Sequence, residues 1–111
     1  MAKRIVITYL TNDYTLEFSR KTVSQMEKEG FVIGDLRSKP LTTYPELFAG
    51  AFKLHHRKMK ENEINEIYNH LTDKEGFIEK LAEMYADTLN TLFDEPEGDA
   101  SKNAMWKMEE D

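Results

Sequence analysis

"RIVITYLTNDYTLEF", residues 4–18, holds two runs rich in β-branched and aromatic residues, 4–10 and 14–18, on either side of the turn-forming triplet Thr11-Asn12-Asp13. That composition predicts a β-hairpin. In the second run Tyr14, Leu16 and Phe18 share one face, with Thr15 and Glu17 on the other. A lone hairpin is marginal in water, so its apolar face requires cover from elsewhere in the chain. Beyond Phe18 the pattern is mainly helical. The expected fold class is therefore α+β: an N-terminal hairpin packed on a small bundle of about four helices.

Ser19 is placed to cap a first short helix running to about Glu29, with Gly30 as its stop and only Val23 and Met26 pointing inward. The stretch 31–36, "FVIGDL", reads as a short strand or buried loop. Thr43 precedes Glu46 by three residues, a capping-box spacing, and Pro45 is tolerated in a first turn. The second helix is expected to run from there to about Met59. Asn62 is the expected cap of a third helix over 63–71, with Ile64, Ile67, Tyr68 and Leu71 on one side. Thr72 and Glu75 form another capping-box pair ahead of a fourth helix over 75–93. In that helix Phe77, Ile78, Leu81, Met84, Tyr85, Thr88, Leu89 and Leu92 form an apolar stripe. Glu79, Glu83, Asp87 and Asn90 lie opposite, a pattern with helical period.

At 111 residues the chain is expected to hold one domain, over 1–93, followed by an acidic flexible tail, 94–111. The tail carries seven acidic and two basic residues, a net of −5, out of a net of −6 for the whole chain. A nearly neutral body supplies little field for non-specific nucleic-acid binding. Too few apolar residues lie beyond Phe93 to offset the entropy of ordering, so the tail is expected to be disordered. Cysteine is absent, which excludes disulfides, a thiolate nucleophile and Cys-based metal sites and fits a reducing cytoplasm. The first residues, "MAKRIVITYLTND", lack the long apolar region of a secretory signal, and no stretch has the length of a membrane span. A cytoplasmic protein without a membrane partner is expected.

Chemistry, if present, is most visible in "ELFAGAFKLHHRKMK", residues 46–60. Counting roughly 100° per residue from Leu47 puts His55 near 80°, among the apolar positions, and His56 near 180°, at their edge. His55 is thus expected to be a packed core histidine and His56 the more exposed one. Adjacent helical residues diverge, so the pair does not chelate an ion as an i, i+4 pair does. Lys53, Arg57, Lys58 and Lys60 could meet phosphate, but Glu61 and Glu63 come directly after them and a solvated face near a helix C-terminus is the simpler reading. Asp99, Ser101, Asn103 and Glu110 have EF-hand spacing, yet Ala104 stands where the loop needs glycine. No P-loop, nucleophile-elbow or dinucleotide-binding motif occurs. The chain is expected to be no enzyme and to use no cofactor, catalytic residue or metal. Met105, Trp106 and Met108 stand out within the acidic tail as apolar anchors for a partner, tryptophan being a favoured hot-spot residue.

The order of hairpin, short helix ending in glycine, "YPELFAGAFKLHHRKM", "INEIYNHL" and "FIEKLAEMYADTLNTLF" resembles a family of small proteins encoded among the tail genes of long-tailed bacteriophages and prophages, which look like tail assembly chaperones. The resemblance covers about residues 1–93, with "LFAGAF" and the histidines after it the most distinctive part. It implies a non-enzymatic assembly factor in the host bacterial cytoplasm that binds the tape-measure protein, tail-tube subunits or both, and that is absent from the finished virion. It also leaves room for a longer frameshifted product. Homo-oligomers are possible. The alternatives are a virion part, such as a head–tail connector or tail-completion subunit, and a small nucleic-acid-binding regulator.

Overall fold

The computed structural model describes residues 3–96, 98 and 100–110. Strands β1 (Ile5–Tyr9) and β2 (Asn12–Leu16) form an antiparallel hairpin in which Ile5 pairs with Leu16, Ile7 with Tyr14 and Tyr9 with Asn12. The turn is Leu10-Thr11, earlier than the expected triplet. Asn12 and Asp13 belong to the ladder instead, and Thr8 Oγ1 donates to Asp13 Oδ1 at 2.6 Å. Register here is set by the apolar pairs, which a one-residue slip would turn outward. The turn puts Leu10 at φ 59°, left-handed and 78% exposed. Beyond β2, Phe18 continues the buried face formed by Ile7, Leu16 and partly buried Tyr14.

Four helices cover that face: α1 (Arg20–Lys28), α2 (Pro40–Phe52), α3 (Glu61–His70) and α4 (Lys74–Asn90). The α+β class is as expected. Helix α1 begins with a reciprocal cap. Thr22 N–H donates to Ser19 Oγ (3.1 Å) and Ser19 N–H donates to Thr22 Oγ1 (2.9 Å). Its buried residues are Val23 and Met26, and Gly30 comes after it at φ 96°, where a side chain would be strained.

Several boundaries differ from expectation. Residues 33–36 form a 3₁₀ turn rather than a strand or loop. Helix α2 starts earlier because Pro40 occupies its first turn, and Thr43 lies inside the helix, buried, its hydroxyl donating to the Asp35 carbonyl. Lys60, not Asn62, precedes α3, and its N–H donates to Glu63 Oε1 at 3.0 Å. Asp73, not Thr72, caps α4, its carboxylate accepting from Gly76 N–H. The fourth helix ends at Asn90, and a 3₁₀ turn over Thr91–Phe93 carries Leu92 and Phe93 out to 68% and 81% exposure.

Phe48 is the hub of the core, 1% exposed, with its ring 5.0 Å from Phe52, 5.1 Å from Tyr68 and 5.7 Å from Phe77. Tyr85 closes the other side against Phe18 and Phe31. Ile64 and Ile67 of α3 and Ile78, Leu81 and Met84 of α4 complete the same core, both helices packing on α2. Arg20 ties the end of α4 to the start of α1: its Nε donates to Thr91 Oγ1 at 3.1 Å and its Nη2 to the Thr91 carbonyl. Apart from Ala100, whose side chain is not described, the described residues past Phe93 are all exposed, with one 3₁₀ turn over Ala100–Lys102.

Candidate functional site

Helix α2 ends at Phe52, about two turns short of Met59, and this reverses the expected roles of the two histidines. No glycine or proline stops it. The backbone of 53–59 instead turns toward the hairpin, with His56 N–H still donating to the Phe52 carbonyl (2.8 Å). His56 becomes the half-buried residue. Its Nε2 accepts from Thr15 N–H at 2.9 Å, and its ring meets Tyr14 at 5.4 Å and Phe52 at 6.0 Å. Such an acceptor must be unprotonated, which places the neutral ring's proton on Nδ1. Burial first, and the neighbouring His55 second, lower the His56 pKa from its ordinary 6.5. His55 is exposed, and its Nε2 lies 2.7 Å from Glu17 Oε1. A further hydrogen bond, from Glu17 N–H to the Ala51 carbonyl (3.0 Å), joins the same two segments. Both histidines therefore pin the hairpin to the end of α2.

Among the described residues no three His, Asp or Glu side chains gather as a metal-binding group. Of the EF-hand-like set, Asp99 lies outside the described residues, and Ser101, Asn103 and Glu110 are exposed. No helix among the described residues is long and apolar enough to cross a membrane.

Two other features present apolar groups at the surface. One is the tail trio: Met105, Trp106 and Met108 are 90%, 87% and 75% exposed. Three large apolar side chains within four residues, each in water, are costly unless something covers them. The other is a groove of about 740 Å³ bordered by α1, α2 and α3, within the range of ligand and side-chain sites. Met26, Phe31, Ala49, Gly50, Leu54 and Ile64 give it an apolar lining. Gly50 makes room for the Met26 side chain. A Cβ there would stand 2.4 Å from Met26 Cε, so the missing side chain lets the methionine lie across the helix. Sequence reasoning missed this groove. Its only trace is the small-residue run Ala49-Gly50-Ala51 within an otherwise bulky helix.

The basic residues Lys53, Arg57, Lys58 and Lys60 are all exposed, and Lys53 and Arg57 stand at the groove. None of the four makes an ion pair among the described residues. Lys53 and Arg57 thus stand at the groove, while Met105, Trp106 and Met108 are exposed.

The chain is thus a small α+β body with a groove bordered by α1, α2 and α3, followed by an acidic segment that carries three exposed apolar side chains. The chain belongs to the family described as Domain of unknown function (DUF5055), whose model matches residues 1–110. The match runs through the tail and includes Met105, Trp106 and Met108. No curated protein and no solved structure matches the chain.

Proposed function

We propose that this protein is a non-enzymatic tail assembly chaperone of a bacteriophage or prophage. It acts in the host cytoplasm and binds the tape-measure protein, tail-tube subunits or both while the tail is built. The resemblance of residues 1–93 to that class motivates the client. The observation that carries the reading is the exposed trio Met105, Trp106 and Met108, set in a tail of net charge −5. Apolar anchors engage the stripes through which helix-rich clients self-associate, and the surrounding charge keeps the complex soluble. The match of the family model through residue 110 makes that tail a family feature.

The test is co-expression with the long, helix-rich reading frame of the same tail gene cluster, reading soluble yield and co-purification. A client that gains solubility and co-purifies supports the reading. A client equally soluble alone, or one that never co-purifies at low or moderate salt, overturns it. Trp106→Ala, with folding intact by circular dichroism, is expected to abolish co-purification.

A further inference from the structure

The groove and the tail trio complement each other in chemistry, and we infer that they meet between two copies of the chain: the Met105–Met108 segment of one copy occupies the α1/α2/α3 groove of the other. The inference uses the tail anchor invoked above but not the client, and it is measured on the protein alone, so its failure leaves the client reading standing.

Three observations carry it. The first is fit. The groove has an apolar lining floored by Met26, whose flexible thioether suits an aromatic ring, and its volume of about 740 Å³ admits a tryptophan with a flanking methionine.

The second is charge. Residues 53–60 hold Lys53, Arg57, Lys58 and Lys60 and no acidic residue, and they adjoin one end of the groove. Glu109 and Glu110 come directly after Met108. Lys107 lies within the same segment, 3.8 Å from Glu109, so Glu110 and the acids earlier in the tail supply the surplus negative charge that faces the basic cluster. Glu29, Glu46 and Glu61 also border the groove, and Glu46 lies one turn before Gly50 on α2. The lining charges balance, Lys21, Lys53 and Arg57 against Glu29, Glu46 and Glu61, so the attraction comes from the exposed cluster 53–60 acting on a tail of net charge −5.

The third is placement. The trio is 75–90% exposed, clear of its own body. The radius of gyration is 17.3 Å, against about 13 Å for a compact chain of this size. The Arg20–Thr91 bonds fix the tail's root beside the first turn of α1, next to groove residues Ser19, Lys21 and Thr22. From Phe93 to Trp106 the chain spans at most roughly 43–47 Å, enough to cross to a facing copy. Two chains that exchange tails form a symmetric arrangement that stops at the dimer, and a client that uses the same anchors competes with it.

Two variants separate the parts. Trp106→Ala removes the anchor and the chain's only tryptophan. The double charge reversal Lys53→Glu/Arg57→Glu disables the groove's basic end at two exposed positions, where folding is readily checked by circular dichroism. The wild-type protein is expected to rise from 13.0 kDa toward twice that mass with concentration in sedimentation equilibrium. Each variant alone is expected to weaken the dimer by at least ~30-fold, the loss typical of a hot-spot residue.

Mixing is decisive. Titrating the tryptophan-free Trp106→Ala chain, whose groove is intact, into the charge-reversed chain, whose tail is intact, should shift Trp106 fluorescence to the blue and shield it from quencher. Three results would overturn the inference. In one, the wild-type protein stays monomeric with an openly quenched Trp106. In another it stays monomeric with Trp106 shielded at every concentration, which means that the tail closes on its own body. In the third, a dimer survives Trp106→Ala unchanged, which means that another face is used.

Discussion

Replacing each histidine by alanine should separate them in the order opposite to the one the helical pattern implies. In His56→Ala the Thr15 N–H loses its acceptor at 2.9 Å, at a part-buried position. An orphaned donor costs about 1–3 kcal/mol, toward the lower end where water can enter. The ring contacts with Tyr14 and Phe52 are lost too, adding about 0.5–1 kcal/mol. The expected total is about 2 kcal/mol, or roughly 8 °C in melting midpoint for a chain of this length. In His55→Ala the loss is a contact with Glu17 made by a side chain 37% exposed, worth at most about 1 kcal/mol and under roughly 4 °C.

pH supplies a second axis. Because burial lowers the pKa of His56 in the folded state, the unfolded chain binds that proton more readily. The contribution of neutral His56 is therefore complete above its ordinary value of 6.5 and drains away as pH falls from there toward the lower folded-state value. Thermal and urea unfolding at about pH 7.5 and about pH 5.5, on either side of the ordinary histidine range, should show the gap between wild type and His56→Ala narrowing at the lower pH. His56→Phe, which keeps a ring but offers no acceptor, should fall between them at the higher pH. A His55→Ala variant as unstable as His56→Ala at the higher pH, or a gap that widens on acidification, would refute the assignment.

Two further outcomes test the body. Phe48→Ala, which empties the hub shared by Phe52, Tyr68 and Phe77, should cost about 3–5 kcal/mol in urea unfolding; a loss below about 1 kcal/mol would move the hub elsewhere. Truncation after Phe93 removes a segment whose described side chains are exposed, and should shift the melting midpoint by less than about 4 °C; a drop beyond about 10 °C would make the tail part of the core.

Legibility in the sequence depended on the range of the interactions involved. Ser19, Gly30 and the pair Val23 and Met26 were readable because caps and helical faces are set within a few residues. So were Ile78, Leu81, Met84 and Tyr85, although Leu92 left the stripe once the helix ended at Asn90. The histidines were not, because the partner that draws His56 off the helical path is Thr15, 41 residues away. A wheel drawn through 47–59 assumes a helix that the hairpin cuts short. The groove was hidden for a related reason: Gly50 reads as a weak helix former until Met26 is seen lying where its side chain would be. The tail trio was found by composition alone, and its exposure needed coordinates.

The bonds that Thr15 and Glu17 make to His56 and Ala51 also bear on how the hairpin meets other chains. A two-stranded sheet has two free edges, each offering a row of donors and acceptors to any extended segment. Here the Thr15 N–H on the outer edge of β2 is taken by His56 and the Glu17 N–H just past the strand by Ala51, so the C-terminal end of that edge is covered. Along β1, Val6 is 57% exposed and no comparable cover lies over the strand among the described residues. The β1 edge is guarded by side chains instead: Lys3, at its start, pairs with Glu83 and Asp87 of α4, and the Tyr9 ring at its end lies beside His70 of α3.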